Sequence, residues 1–391
     1  MSVISYTLHK CTKCMHCLRI CPTEAITIQN ERAIISPKKC INCGQCMDAC
    51  TNLGLQAKGS TIIDKDNYEK SVLLVPTSIY SDCSSLEEVE TLNAALDQLG
   101  FDEVLSLGEY EAAVYAATSD YMKYNDSRLL ISSFCPVINR LIELKYPMLL
   151  SNILPFDYPA EIAARAVRAA ADDPNKLGIF LFCECPSKLT LAKYPYGKQS
   201  AIDHALSIVD LFPQINHVRN EARKPMVLYE EAIKSVVSGL NMQVNNQMLA
   251  VDGLDKIKKV LELAEFGLLK EVKYLSLSAC SNGCIGGKFI WGNPFNGKVN
   301  MTRLLQEAEP MLKKFKIADL YGEETNSNIE SMPNIFAQLA KFKSVNEQLE
   351  VLPGFDCGAC GFPSCRTMAE EIVDGRKTLH DCKILGKRED V

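Results

Sequence analysis

The stretch CTKCMHCLRICP, from Cys11 to Pro22, is followed by a second copy, CINCGQCMDACT, from Cys40 to Thr51. Each copy has four cysteines at the spacing C-x2-C-x2-C-x3-C, and only the first ends in proline. Closely spaced thiolates are the soft ligands that iron prefers, and this spacing allows one loop to wrap three corners of a four-iron cubane. The repeat therefore predicts two neighbouring 4Fe–4S sites at the N-terminus, with zinc or free thiols as the alternatives.

The double motif is typical of a small ferredoxin module with two clusters. In such modules the fourth cysteine of each run ligates the other cluster. One predicted set is Cys11, Cys14, Cys17 and Cys50, and the other is Cys21, Cys40, Cys43 and Cys46. We predict a two-cluster ferredoxin domain over residues 1–58, including a short strand at Ala25–Ile28.

A third cysteine group lies near the C-terminus. Cys357, Cys360, Cys365 and Cys382 follow the spacing C-x2-C-x4-C-x16-C. We predict a further 4Fe–4S module over residues 351–391, with a helix at Arg366–Val373. Because the module is short, its fold should depend largely on the cluster.

Composition restricts the class of protein. The chain has 391 residues, eighteen cysteines and a net charge of −6, so it is long enough for several domains and has no basic patch for nucleic acid. No leader and no run of about eighteen apolar residues are visible, so we expect a cytoplasmic protein without a membrane span. In a reducing compartment such cysteines are metal ligands and not disulfides.

The middle of the chain alternates short apolar runs with amphipathic segments, which predicts an α/β domain after a polar linker at Lys58–Lys70. The predicted strands are Val72–Val75, Leu129–Ser132, Leu177–Phe182 and Tyr274–Leu277. The predicted helices are Leu86–Leu99, Glu109–Met122, Ala160–Ala171, Leu254–Ala264, Thr302–Lys314 and, further on, Ile335–Asn346.

Three peptides in this region contain four more cysteines: Ser132–Pro136 (SSFCP), Cys183–Lys188 (CECPSK) and Ala279–Gly287 (ACSNGCIGG). The cysteines follow closely on apolar runs, so they are expected where strands end and loops begin. In this order, after a ferredoxin module, the peptides resemble the three active-site signatures of FeFe (iron-only) hydrogenases, TSCCPxW, MPCxxKKxE and ExMACxxGCxxGG. The resemblance implies a two-lobed α/β core around a central metal site, over residues 70–322.

The resemblance also implies an H-cluster, a 4Fe–4S cubane joined to a two-iron centre with carbonyl and cyanide ligands. By position, Cys135, Cys185 and Cys280 would hold the cubane, Cys284 would bridge the two parts, and Lys188 would donate a hydrogen bond to a cyanide. The cofactors would thus be three further 4Fe–4S clusters and one H-cluster. The alternatives are a plain cubane without the two-iron centre, or four buried free cysteines.

Several positions depart from the catalytic signatures. Phe134 replaces the cysteine that delivers protons to the iron, and a phenyl ring cannot carry a proton. We predict that Cys183 or Glu184 partly replaces this relay. Cys183 is favoured because its position corresponds to a pocket-facing methionine of the family and because a thiol can exchange protons when its surroundings lower its pKa. The alternative is that Cys183 only fills the space of that methionine. The lost relay cysteine and the C-terminal motif are similar to the sensory branch of the family.

We therefore predict slow, reversible activation of H2 to protons and electrons, used to sense hydrogen or redox state. Electrons would pass through the 4Fe–4S clusters to a redox partner or regulatory protein. The alternative is an electron-transfer or iron–sulfur assembly protein of the same fold that lacks the two-iron centre. The intact Lys188 favours the first function, whereas Phe134 and Lys288 favour the second.

Overall fold

The computed structural model describes residues 2–7, 11–12, 14–29, 32–124, 128–192, 200–219, 221–240, 247–322 and 335–385, without the side chains of 335–339. The chain divides into two units. Met1–Ala57 and Thr325–Val391 together form the first, and Lys58–Glu324 forms the second. The predicted C-terminal module thus shares a unit with the predicted ferredoxin module.

The ferredoxin part of the first unit contains two small antiparallel sheets and two short helices. Strand Ile4–Tyr6 pairs with Leu55–Ala57, and Ile26–Gln29 pairs with Arg32–Ile35. The helices are His16–Ile20 and Gln45–Asp48. Each helix begins after a residue with positive φ, Met15 at 64° and Gly44 at 77°, which occupy equivalent positions in the two sequence repeats. The repeat in sequence is therefore a repeat in backbone conformation.

The C-terminal part of the same unit is helical. Its elements are the helices Ile335–Val351 and Cys365–Val373 and a short 3-10 helix at Leu379–Asp381. Ser364 caps the second helix by accepting from the backbone N–H of Thr367. The buried side chains between these elements are Val345, Leu352, Phe362, Met368, Ala369 and Cys382.

The second unit is built on two parallel sheets. In spatial order, the strands of the first are Glu103–Ser106, Lys70–Val75, Leu177–Cys183 and His204–Ser207. Those of the second are Met248–Asp252, Tyr274–Ser278 and Leu130–Ile131. Every residue of Leu177–Cys183 is buried, as expected for a central strand covered on both faces.

Helices connect these strands and cover the sheets. The α-helices are Leu86–Asp97, Gly108–Tyr124, Pro136–Lys145, Pro159–Ala169, Ile208–Val218, Glu230–Val236, Leu254–Glu265, Pro294–Leu304 and Ile317–Leu320. The 3-10 helices are Ile62–Asn67, Thr77–Asp82, Pro147–Asn152, Lys188–Thr190 and Cys284–Gly286. Parallel strands alternate with helices throughout, so the predicted α/β class is confirmed.

The predicted helix Thr302–Lys314 is wrong. The helix in this region is Pro294–Leu304, which begins earlier because Asn293 accepts from the backbone N–H groups of Phe295 and Asn296 and because Pro294 suits a first helical position. Pro310 lies beyond its end and could not donate the hydrogen bond that a longer helix requires.

The stretch Lys58–Lys70, predicted as a linker, is folded into the second unit. Ser60 donates from its backbone to the carbonyl of Ala205, and Thr61 and Asp64 form a capping box for the 3-10 helix Ile62–Asn67. Tyr68 packs edge-on against Phe180 of the central strand. Polar composition was misleading here because the polar groups bond to one another and to a neighbouring strand.

Across the described parts of the chain, no helix combines the length and the apolar character needed to cross a bilayer.

Candidate iron–sulfur sites and the central cavity

The N-terminal cysteines are brought together in the crossed arrangement that we predicted from the repeat. Cys11, Cys14, Cys17 and Cys50 line one cavity with an empty volume of about 440 Å³. Burial raises the pKa of Cys17 to about 11, and Cys11, Cys14 and Cys50 raise it further. Four thiols that destabilise one another's charge are stabilised when a cationic iron centre binds them.

The second N-terminal set shows the same crossing. Burial raises the pKa of Cys46, and the charges of Cys43, Cys21, Cys40 and Cys17 raise it further, with Cys21 of the first run acting more strongly than Cys40. The two crossing cysteines have equivalent hydrogen bonds. The Sγ of Cys21 accepts from the N–H of Ala25 at 3.2 Å, and the Sγ of Cys50 accepts from the N–H of Gly54 at 3.1 Å. Hydrogen bonds from N–H groups to ligating thiolates affect the reduction potential of an iron–sulfur cluster.

The C-terminal cysteines line a cavity with an empty volume of about 310 Å³: Cys357, Cys360, Cys365 and Cys382. Asp356, whose φ is 45°, accepts from the N–H of Cys365 at 2.6 Å and so closes the loop between the first and third cysteines. The fourth, Cys382, reaches the cavity from the short helix that follows Val373.

The four central cysteines lie just beyond the carboxyl ends of parallel strands. Cys135 precedes the helix Pro136–Lys145, Cys185 follows the strand Leu177–Cys183, and Cys280 and Cys284 follow the strand Tyr274–Ser278. Burial raises the pKa of Cys284, Lys188 lowers it, and Glu184, Cys135 and Cys185 raise it. Cys280 in turn raises the pKa of Cys185. The four thiols therefore lie within electrostatic range of one another.

The third cysteine peptide is packed tightly against the second. The backbone N–H of Phe289 donates to the carbonyl of Glu184 at 3.0 Å, and a Cβ on Gly287 would lie 2.3 Å from that same oxygen. Gly283 has a φ of 90°, and a Cβ there would lie 2.4 Å from the carbonyl oxygen of Val236. Gly287 thus lets the peptide carrying Cys284 lie close to the peptide carrying Cys185, and Gly283 lets it lie close to the end of the helix Glu230–Val236.

A buried ion pair lies beside the central cysteines. The Nζ of Lys188, whose side chain is 10% exposed, donates to Oε1 of Glu184 at 2.5 Å. It also lies 5.1 Å from the centre of the Phe134 ring. Among the described residues, Oε2 of Glu184 is buried without a hydrogen-bond partner. All three side chains line a cavity with an empty volume of about 300 Å³.

Sequence reasoning missed Glu111, which lines the same cavity from the helix Gly108–Tyr124. Its side chain is buried, and Oε2 accepts from the backbone N–H of Thr77 at 3.2 Å. Burial raises the pKa of Glu111 to about 7, against the lowering effect of Lys188. The available signal was its helical spacing, because Leu107 and Val114 mark the same apolar face.

Cys183 differs from Glu184 in position. Its thiol is fully buried, donates to the carbonyl of Leu181 at 3.6 Å, and is not one of the cavity-lining groups. Burial raises its pKa, whereas a relay at this position required a lowered one. The proton route stays a prediction, and the geometry favours Glu184 over Cys183. The remaining cysteine, Cys83, is also buried.

The donor groups fit iron–sulfur clusters. Over the described ranges, no three His, Cys, Asp or Glu side chains converge on a point where a single metal ion could bind. Four-thiol sites that surround a cavity suit a larger inorganic group. A two-iron centre with anionic ligands would need a hydrogen-bond donor, and Lys188 could supply it. An ammonium has three N–H donors, and Glu184 occupies one of them.

Comparison with known proteins gives three family matches. Residues 78–226 match the family "Iron only hydrogenase large subunit, C-terminal domain", residues 3–51 match a "4Fe-4S dicluster domain", and residues 352–384 match an Fe–S cluster family. Among solved structures, a variant of the FeFe-hydrogenase HydA1 from Chlamydomonas reinhardtii is 13% identical, with a TM-score of 0.48 over 63% of this chain and 86% of that one.

Curated relatives match over short segments. An uncharacterized ferredoxin of Methanocaldococcus jannaschii is 35% identical over 48 residues, which are 12% of this chain and 77% of the ferredoxin. One component of the ion-translocating oxidoreductase complex of Rhodobacter capsulatus is 45% identical over 38 residues, which are 10% of this chain and 20% of that component. The chain spans about a fifth of the length of the first relatives that it matches. Together, the family matches, the cysteine groups and the α/β fold identify an FeFe hydrogenase-like iron–sulfur protein with a 4Fe–4S dicluster domain.

Proposed function

We propose that this protein activates H2 slowly and reversibly, releasing two protons and two electrons, and that it reports hydrogen or redox state. The observation that supports this most strongly is the buried cation beside the central cysteines. Lys188 is almost inaccessible and lies in electrostatic range of Cys284 and Cys185. A desolvated ammonium in such a pocket suits an anionic metal ligand, whereas a plain cubane has no need of it.

In this proposal Cys135, Cys185 and Cys280 would hold a cubane and Cys284 would link it to a two-iron centre, which supplies the chemistry of H2 cleavage when bound. Lys188 would donate one of its remaining N–H groups to that centre. Glu184 would hold the ammonium in place through the existing hydrogen bond. The protein would thus position the centre, place a charge beside it and keep water away from it.

The rate would be low because of Phe134. Its ring lies in the cavity against Lys188, where a proton carrier would be needed, and it has no group that can accept or donate a proton. The two electrons would leave one at a time through the 4Fe–4S clusters to a redox or regulatory partner protein in the cytoplasm. A low rate with intact electron transfer suits a sensor better than a producer of H2.

Infrared spectroscopy of anaerobically matured protein tests the proposal directly. Carbonyl and cyanide on iron absorb where protein does not, so the matured protein should show those bands. The variant Cys284→Ala should lose the bands and keep the clusters of the other sites, whereas Cys83→Ala should keep both. Matured protein without the bands would overturn the proposal.

A second candidate is supported by the ion pair itself. Because Glu184 already neutralises Lys188, the central site is also compatible with a cubane alone, and the protein would then be an electron-transfer or assembly protein. The same spectra separate the two functions. Iron at all four-cysteine sites without carbonyl or cyanide bands would favour this second function.

A further inference from the structure

The loop that carries the C-terminal cysteines packs directly on the ferredoxin part of the first unit. The N–H of Ile28 donates to the carbonyl of Gly361 at 2.8 Å, and Nη2 of Arg19 donates to the carbonyl of Cys357 at 3.4 Å. Both acceptors belong to the Cys357–Cys365 loop. The C-terminal cysteine loop is therefore joined by hydrogen bonds to the helix His16–Ile20 and to the strand Ile26–Gln29 of the ferredoxin part.

Side-chain contacts reinforce this junction. The carboxylate of Glu24 accepts from the hydroxyls of Ser364 and Thr367, which lie at the start of the helix Cys365–Val373. Lys39 forms an ion pair with Glu370 of the same helix, with 3.6 Å between Nζ and Oε2. The first contact is half-buried and partly shielded from solvent, so it holds the helix against the ferredoxin part more firmly than the exposed ion pair does.

Between the two cavities lies a thin apolar layer. Gly358 lines the C-terminal cavity, and a Cβ placed on it would lie 3.5 Å from Cδ2 of Leu18 and 3.9 Å from Sδ of Met15. Met15 in turn lines the cavity of the Cys11 set. A Cβ on Gly361 would lie 2.1 Å from the carbonyl oxygen of Ile28, which lines that cavity too. Among the described residues, Met15, Leu18 and Ile28 therefore lie where the two sites adjoin.

We propose that the C-terminal site and the site of Cys11, Cys14, Cys17 and Cys50 exchange electrons directly across Met15 and Ile28. This inference rests on the proposed clusters at both sites. In each step one electron leaves the reduced cluster and enters the oxidised one, and no bond or proton moves. The first electron comes from a one-electron donor, such as a reduced ferredoxin. Leu18 beside this layer is fully buried and packs in the apolar core of the ferredoxin part.

The proposal assigns the C-terminal site a place inside the electron chain. A partner protein that docks on the C-terminal module would exchange electrons with the Cys11 set first. In this proposal the close packing has a function, because Gly361 allows the C-terminal loop to approach Ile28 more closely than a residue with a side chain would permit.

Electron paramagnetic resonance of the dithionite-reduced full-length protein tests the proximity of the clusters. Neighbouring paramagnetic clusters broaden each other's signals and speed their relaxation. The double variant Cys360→Ser with Cys382→Ser should lose about four irons per chain. The remaining ferredoxin signals should become narrower and saturate at lower microwave power. Cys83→Ala is the control for loss of a buried thiol and should match the parent protein.

The iron count separates the possible failures. A loss of about four irons with unchanged line shape and saturation would overturn the direct exchange and leave the C-terminal cluster in place. An unchanged iron count would overturn the C-terminal cluster and this inference with it.

A second variant keeps all cysteines. Gly361→Ala forces the loop away from Ile28, so full iron content with weaker coupling between the signals is expected. The matched control is Gly375→Ala, because Gly375 also has a positive φ, 73°, but a Cβ there meets nothing within 4 Å. Equal coupling in the two fully loaded variants would contradict the role of the Ile28 contact.

Discussion

Lys188 and Glu184 carry opposite charges that water barely reaches, so each depends on the other for stabilisation. A buried charge without its partner costs far more than an exposed one, because it loses hydration and regains nothing. Sequence spacing alone makes this pair look like an ordinary helical i,i+4 pair. The structure shows instead that the pair is buried, with side chains 10% and 2% exposed.

We expect Lys188→Met to lower the free energy of unfolding by about 3–5 kcal/mol, because it leaves Glu184 buried and unpaired. Adding Glu184→Leu should recover most of that loss. The matched control is Lys234→Met, which breaks another i,i+4 pair, with Glu230, at a more exposed position and should cost about 1 kcal/mol or less. Denaturant titration checks this, and equal costs for the two lysine variants would refute the buried pair.

Phe134 should limit the rate of H2 oxidation, because its ring cannot carry a proton. Phe134→Cys should raise H2 oxidation by roughly 10²- to 10⁴-fold in matured protein, the usual contribution of a positioned acid or base. Cys183→Ala should leave the parent's rate unchanged, since its thiol is buried away from the cavity. Glu184→Gln tests the alternative relay. A large loss in Cys183→Ala would reverse our preference between the two.

Glu111 should make stability depend on pH. Its pKa rises from 4.5 to about 7 in the fold because burial disfavours the charged form. The favourable contribution of the neutral carboxyl is complete below about pH 4.5 and is lost as the pH rises to about 7. At about 1.4 kcal/mol per pKa unit, Glu111→Gln should gain about 3 kcal/mol over the parent at alkaline pH and little under acidic conditions.

Denaturant titrations across that pH range would measure this difference. Glu109→Gln, on the same helix, is the control, because that side chain pairs with Lys313 at 2.9 Å on a more exposed face. A gain for Glu111→Gln that is the same at every pH would contradict ionisation as the cause.

At the scale of elements, short loops at the carboxyl ends of parallel strands bring the site together. The strand Leu177–Cys183 ends two residues before Cys185, and the strand Tyr274–Ser278 ends two residues before Cys280. The two strands belong to different sheets, and the loops that follow them meet through the hydrogen bond from the N–H of Phe289 to the carbonyl of Glu184. The 3-10 helices Lys188–Thr190 and Cys284–Gly286 begin three residues after Cys185 and four residues after Cys280.

Gly287→Ala tests this packing. The added methyl group would approach the carbonyl oxygen of Glu184 to 2.3 Å, so the two cysteine peptides would have to separate. We expect loss of iron from the central site with the ferredoxin clusters retained. Gly297→Ala is the comparison, since its Cβ would lie 3.3 Å from Cβ of Ser81, which a shift of a few tenths of an ångström relieves, and alanine favours a helix. Full iron content in Gly287→Ala would contradict the tight packing.

At the scale of the whole molecule, the first unit is assembled from the two ends of the chain. We expect truncation after Leu349 to remove about four irons per chain. The ferredoxin clusters should also decay faster in air, because Gly361 and Gly358 would no longer pack on Ile28 and Leu18. Iron analysis and the decay of visible absorbance measure both effects. Ferredoxin clusters that decay at the parent's rate would argue against a protective contact.

Much of the architecture was predictable because it depends on local patterns. The cysteine spacings predicted cluster modules, and the three central peptides predicted the hydrogenase-like family, which the match of residues 78–226 bears out. Long apolar or amphipathic segments such as Leu177–Cys183 and Leu254–Glu265 were found within a few residues of their bounds. Spacing and periodicity are properties of the chain before it folds.

Other features depend on contacts between distant segments, which no local pattern contains. The strands Glu103–Ser106 and Met248–Asp252 were missed because most of their side chains are only partly buried, so no apolar run marks them. They form strands because they pair with neighbouring strands. The same holds for Glu111 in the central cavity and for the packing of Gly361 on Ile28. The sequence by itself thus determined which thiols group together and which family the chain resembles. Only the tertiary structure decided which charges face those thiols and which sites lie side by side, because both depend on burial and on close backbone approach.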